Sequence, residues 1–169
     1  MTIRLTPLLS NERAAFIHDL QEAFAVAFVA EYGEQAADCI SAYEIETSLD
    51  ADGAAAFHIE ENGQKVGGVV LVIDEETRHN KLDLLFIKPS AHGRGIGTRV
   101  WKLIESTYPD TLVWETVTPY FEKRNIHFYV NKCGFSIVEF ITPWHRTGYE
   151  MLESTPGKDY FFRFMKKMP

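Results

Sequence analysis

Between Lys81 and Val117 the chain sets a strand-like run, a glycine loop, a helical stripe and a second strand-like run in immediate succession. Lys81-Leu82-Asp83-Leu84-Leu85-Phe86-Ile87 reads as a mostly buried strand, halted at Lys88-Pro89 because proline has no N–H for a ladder. His92-Gly93-Arg94-Gly95-Ile96-Gly97-Thr98 follows. Next comes a helix over 97–107, with Val100, Trp101, Leu103 and Ile104 at helical spacing. Tyr108-Pro109-Asp110 breaks it before a strand over 111–117. A glycine loop opening into a helix brings bare backbone together with unpaired N–H groups of partial positive charge, the means by which such loops bind phosphate. Its plainer reading is a connection with no ligand.

The remaining elements surround this unit. A short strand over 2–8 precedes the helix-start signal Ser10-Asn11-Glu12. Phe16, Ile17, Leu20, Phe24, Ala27 and Phe28 then recur every three or four residues on one helical stripe, closed near Gly33. A weaker second helix is expected within 34–52. Asn62-Gly63 between the runs 55–60 and 65–73 is a hairpin signal. A further helix over 121–131, stopped by Gly134, and strands at 135–141 and 160–165 complete the order. The pattern predicts a mixed α+β fold, one sheet covered on its faces, in one domain over 1–169.

Composition removes several function classes. With 17 basic and 24 acidic side chains the formal charge is −7, against the basic surface that binds nucleic acid non-specifically. No leader-like N-terminus and no bilayer-length apolar run occurs, so a cytoplasmic protein without a membrane partner is expected. Two cysteines, Cys39 and Cys133, make no disulfide framework, and His127 and His145 lack companions at metal-ligand spacing, so no metal is assigned.

Among phosphate binders, a P-loop needs Gly-Lys followed by Ser or Thr, but Gly97 is followed by Thr98 and Arg99. A dinucleotide fingerprint needs glycine where Thr98 stands. The loop resembles instead the acetyl-CoA signature of the GNAT acyltransferase superfamily, with His92 where the family has Gln or Arg. Leu84 to Pro89 resembles that family's bulged fourth strand, and Asn125-Ile126-His127-Phe128-Tyr129-Val130-Asn131-Lys132-Cys133-Gly134-Phe135 its second signature. The likeness covers about 81–140.

The resemblance implies a central, mostly antiparallel twisted sheet of about six to seven strands with about four helices. It also implies acetyl transfer from acetyl-CoA to an amine by direct attack in a ternary complex. The cofactor would meet Leu85, Phe86 and Ile87 of the fourth strand, His92, Gly93, Arg94, Gly95, Ile96, Gly97 and Thr98 of the loop, and Asn125. His92 on the pyrophosphate would make affinity vary with pH, its free pKa being ~6.5. Tyr129 would protonate the departing thiolate, so Tyr129→Phe would lower turnover and leave CoA affinity nearly unchanged; a core tyrosine is the plainer alternative.

Lys81 occupies the place where the family often carries its carboxylate base. Glu115 is the first substitute and Asp83 the second, since strand alternation puts Asp83 on the face of Leu85 and Ile87. A water chain is a further route for the proton. Glu31, Glu34, Asp38, Glu44 and Glu46 make the region of the first two helices acidic, which suits a cationic acceptor or is simply a solvated face. Trp114, Tyr120, Phe121, Phe128 and Trp144 would line an acceptor pocket or belong to the core. The resemblance implies a small-molecule or peptide amine as acceptor, and the family's habit of pairing admits a homodimer. Cys133 has no activating partner, which disfavours a covalent route. A non-catalytic acyl-CoA-binding or sensing module is the competing reading.

Overall fold

The computed structural model describes residues 2–33, 40–145 and 160–169. The strands are β1 (Ile3–Pro7), β2 (Ala54–Glu61), β3 (Gln64–Val72), β4 (His79–Ile87), β5 (Val113–Pro119), β6 (Ser136–Ile141) and β7 (Phe161–Lys167). The helices are α1 (Arg13–Tyr32), α2 (Ala42–Asp50), α3 (Ile96–Thr107) and α4 (Lys123–His127). Among the described residues the strands make one sheet in the order β1-β2-β3-β4-β5-β7-β6. β4 and β5 are its parallel pair, and the other neighbours run antiparallel.

Local chemistry explains the boundaries. The β2–β3 turn places Asn62 and Gly63 at φ 52° and 84°, the left-handed pair that a two-residue hairpin requires. α2 is shorter than the periodicity suggests; Ser41 starts it by accepting from the Glu44 N–H at 3.1 Å, and residues 34–39 lie outside the described chain. The expected helix over 121–131 divides. Lys123–His127 is α-helical, and Phe128–Cys133 forms a π-helical turn ending at Gly134 with φ +86°. Such turns are rare because they widen the backbone ring.

Two cores cover the sheet. On one face Phe16, Leu20, Ile45 and Leu49 of α1 and α2 bury Val70 and Phe86. On the other, Trp101 of α3 meets Trp114 of β5 edge-on at 5.2 Å, with Val100, Ile104, Tyr129, Phe135 and Phe164 around them. Gly68 permits close packing on the first face, since a Cβ there would come within 2.3 Å of the Phe16 ring.

Two irregularities at β4 open the site. In the register with β3, Val70 faces Leu84 and Leu71 faces Leu82, which leaves Asp83 as a bulged residue. The bulge resets alternation: Leu82 and Leu85 share one core, while Leu84 and Phe86 pack in the other. In addition, β4 and β5 pair only from His79↔Val113 to Leu82↔Thr116. Beyond that point the strands diverge, and Asp83–Ile87 present an edge of β4 that no strand covers among the described residues.

Candidate active site

The divergence produces a cleft of about 690 Å³ between α1, the end of β4, the glycine loop, the start of α3 and α4. Leu85, Phe86 and Ile87 form one wall, and Ala23, Phe24, Val26, Ala27 and Ala30 of α1 form an apolar second wall. His92, Gly93, Gly95, Ile96, Gly97 and Thr98 line the loop end; Glu122 to Asn125, His127, Phe128 and Lys132 close the remaining side.

The loop has the geometry of an anion cradle. Gly93 and Gly95 have φ of +80° and +69°, and a Cβ on either would meet nothing within 4 Å. They are therefore glycine for backbone conformation and for open space above the loop. Gly97 has a different task, because a Cβ there would approach the Phe128 ring to 3.1 Å. Arg99 N–H, donating to Gly95 at 3.3 Å, is the amide that opens the helical ladder, so those of Ile96, Gly97 and Thr98 have no carbonyl a turn back. Their dipoles favour negative charge at this end of α3.

Side chains fix the loop from behind. Arg94 does not line the cleft; its guanidinium donates to Glu61 at 2.9 Å, and Arg99 lies 3.6 Å from the other oxygen of that buried carboxylate. His92 is held at both nitrogens. Nε2 lies 2.8 Å from the Ile87 carbonyl, which can only accept, and Nδ1 lies 3.2 Å from Arg124 Nη1, which can only donate. This arrangement specifies the neutral Nε2–H tautomer. The imidazole therefore braces β4 against the loop, and the positive charge at the mouth comes from Arg124, Lys123 and Lys132.

Asn125 lines the cleft, its amide 3.5 Å from the Thr118 hydroxyl. Tyr129 is absent from the lining. It is 4% exposed, its ring packed on Phe128, Phe135 and Phe164, and burial carries its phenol far above the ordinary range. Glu115 is also outside the cleft. It faces Lys81 across the paired end of β4 and β5 and accepts from Arg163 at 3.3 Å. Asp83, at the bulge, does not reach the lining either.

Of the aromatic group, Phe128 lines the cleft, Trp114 and Phe121 are core, and Tyr120 and Trp144 are exposed. Of the acidic group, the Glu44 carboxylate accepts from the hydroxyl of Ser41, the residue that caps α2, and Glu46 is exposed, while Glu34 and Asp38 lie outside the described residues. Cys39 does too. Burial pushes the Cys133 thiol up to about 12, which keeps it from being a thiolate near neutrality.

Sequence reasoning passed over Glu122. It is 4% exposed, lines the cleft, and its carboxylate makes no hydrogen bond or ion pair among the described residues. It sits at the N-cap of α4 without capping it. Burial pushes its carboxyl up to about 7, and the nearby Arg124 charge pulls in the opposite direction. An acid at the first turn of a helix reads in sequence as a dipole or capping residue, so no local signal sets this one apart.

Residues 14–135 match the Acetyltransferase (GNAT) family. The chain belongs to that family and is an acyltransferase. The uncharacterized protein YrkN of Bacillus subtilis (strain 168) is 48% identical over 160 residues, covering 90% of this chain and 86% of that one. The fold is shared with an acetyltransferase from Thermus thermophilus, at TM-score 0.71 and 14% identity over 99% of this chain and 98% of that one. It is also shared with the ribosomal-protein-S18-alanine N-acetyltransferase of Escherichia coli (TM-score 0.70, 11% identity, 98% and 94% covered). A third is the spermidine N-acetyltransferase of Vibrio cholerae, solved with CoA and spermine (TM-score 0.68, 16% identity, 98% and 95% covered). Among the described residues no helix is long and apolar enough to cross a membrane, and no three metal-ligating side chains converge.

Proposed function

We propose that this acyltransferase uses acetyl-CoA and transfers its acetyl group to an amine, both substrates being held together in the cleft. The observation that carries this reading is the coincidence of the splayed edge of β4 with the amide-lined loop at one end of the same cleft. The residues present fit the co-substrate. Open space above Gly93 and Gly95 and the free amides of Ile96 to Thr98 suit a pyrophosphate, with Arg124 and Lys132 supplying cationic charge. The unpaired edge at Leu85 to Ile87 offers backbone donors and acceptors to an amide-bearing arm, and Asn125 adds a side-chain pair.

The thioester supplies an activated acyl carbon; the chain's part is to align it with a neutral amine. A backbone N–H of the splayed β4 edge at Leu85 or Phe86 is the proposed donor to the developing oxyanion. The apolar α1 wall excludes water, which favours transfer to nitrogen over hydrolysis. The acceptor is a small-molecule or peptide amine, classes represented by the spermidine and ribosomal-protein acetyltransferases that share the fold.

Calorimetric titration with acetyl-CoA, followed in the same cell by a panel of polyamines, amino acids and peptide termini, tests the reading. Binding followed by release of free CoA thiol is expected. No binding at millimolar acetyl-CoA overturns it, and binding with no release on any amine supports the non-catalytic acyl-CoA-binding module instead.

A further inference from the structure

We propose that Glu122 is the proton carrier of the transfer reaction, accepting the proton from the acceptor nitrogen and passing it to the departing sulfur. The inference rests on the acetyl-CoA reading above. Among the described lining residues Glu122 is the sole carboxylate. The other titratable groups there are committed or cationic: His92 is held at both nitrogens, exposed His127 accepts at Nδ1 from Asn131, and Lys123, Arg124 and Lys132 carry positive charge. The expected bases lie elsewhere, Glu115 on Arg163 and Asp83 at the bulge.

A carboxylate buried without a partner is costly, and such a group inside a cleft marks a site where a charge is to be accepted during function. The groups that face it are few. Arg124 is the cation that acts on it, Lys123 is its neighbour in the lining, Tyr129 of the π-helical turn is near enough for the Glu122 charge to disfavour ionisation of the phenol, and His92 reaches it only through Arg124. The lining residues of α1 and of the β4 tip are apolar.

The step balances without any further reactant. The nitrogen lone pair forms the C–N bond with the acyl carbon while the electrons of the C–S bond leave on sulfur. The nitrogen, acidified as its bond to carbon forms, gives one proton to the Glu122 carboxylate. The resulting carboxylic acid gives that proton to the thiolate, so the products are an amide and a thiol and Glu122 ends as it began. One group can serve both directions when its proton affinity is matched to the working pH, and burial supplies that match here.

Glu122→Gln keeps the shape and removes the titration. In wild type, acetyl-CoA binding near neutral pH should displace water from around Glu122 and change the fraction of it that is protonated, so the binding heat should differ between phosphate and Tris buffers. In Glu122→Gln, checked for native circular dichroism, we expect affinity within about threefold of wild type, no buffer dependence, turnover down by about a hundredfold or more, and loss of the rising limb of kcat/KM against pH. Glu122→Asp should keep the limb at reduced rate. Unchanged buffer dependence in Glu122→Gln, or wild-type turnover with the same limb, overturns the proposal and leaves the acetyl-CoA reading standing. Silence of the wild type itself towards acetyl-CoA overturns both.

Discussion

At Gly93 and Gly95 an added Cβ would meet only open space, whereas Tyr129, carried by the second half of the same family likeness, is packed on three aromatic rings inside the core. The loop presents backbone to the cleft and needs its side chains only behind it, on Glu61. The tyrosine segment presents Phe128 to Gly97 and turns its phenol inward. A signature made of glycines specifies where the backbone goes; one built on a side chain leaves the direction of that side chain to the turn that carries it. Here the turn is π-helical.

The largest expected separation of the two regions is in stability. Tyr129→Ala should leave a cavity beneath Phe135 and Phe164 and lower unfolding free energy by about 3–5 kcal/mol in urea titration. A loss below about 1 kcal/mol would mean that the segment is not the sealed core described here.

Glu122 should behave in the opposite sense. Its folded pKa of about 7 lies above the ordinary 4.5, so its stabilising share is full below 4.5 and is lost as pH rises through 7. Glu122→Gln is accordingly expected to be more stable than wild type by on the order of 2–3 kcal/mol at about pH 8, and nearly equal to it at about pH 4. Equal stability at both pH values would show the carboxylate to be solvated or paired. Gly95→Ala strains a left-handed position at a cost of about 1–2 kcal/mol, with no clash to add. That penalty should be read mostly as weaker acetyl-CoA binding, up to about tenfold, because the amides of Ile96 to Thr98 then lose their aim.

Much of this was legible in the chain. Alternate glycines between an apolar run and a helical stripe report a backbone requirement, and local sequence is where such a requirement is written. The hairpin at Asn62-Gly63 and the halt at Gly134 belong to the same kind. What alternation could not report is the bulge at Asp83, since one extra residue inverts the facing of everything after it. The division of the 121–131 helix is similar: the apolar spacing is unchanged, while the π turn sets Phe128 against Gly97 and Tyr129 against Phe164. Lys81 was legible as standing at the family's usual base position and Glu115 as the first substitute for that base, but their register places both at the closed end of β4 and β5. Glu122 was illegible for the reason that gives it interest, namely that its isolation is a property of every element around it.

The smallest structural change carries the sharpest test of the comparison. Tyr129→Phe removes one oxygen from the core and leaves the ring packing in place, so stability near neutral pH should change by less than about 1 kcal/mol. The phenol's folded pKa is raised, so its share of stability is intact below the unfolded value near 10.0 and is lost as pH rises beyond it. Unfolding of Tyr129→Phe should therefore steepen less above pH ~10 than that of wild type, with the Cys133 thiol accounting for part of the remaining slope. Turnover decides the assignment. With the proton carried by Glu122, Tyr129→Phe should keep kcat within about threefold of wild type and retain its pH limb. A fall of about a hundredfold with unchanged acetyl-CoA affinity would mean that the phenol reaches the sulfur after all, the role the family likeness assigns it, and Glu122 would then serve the nitrogen alone.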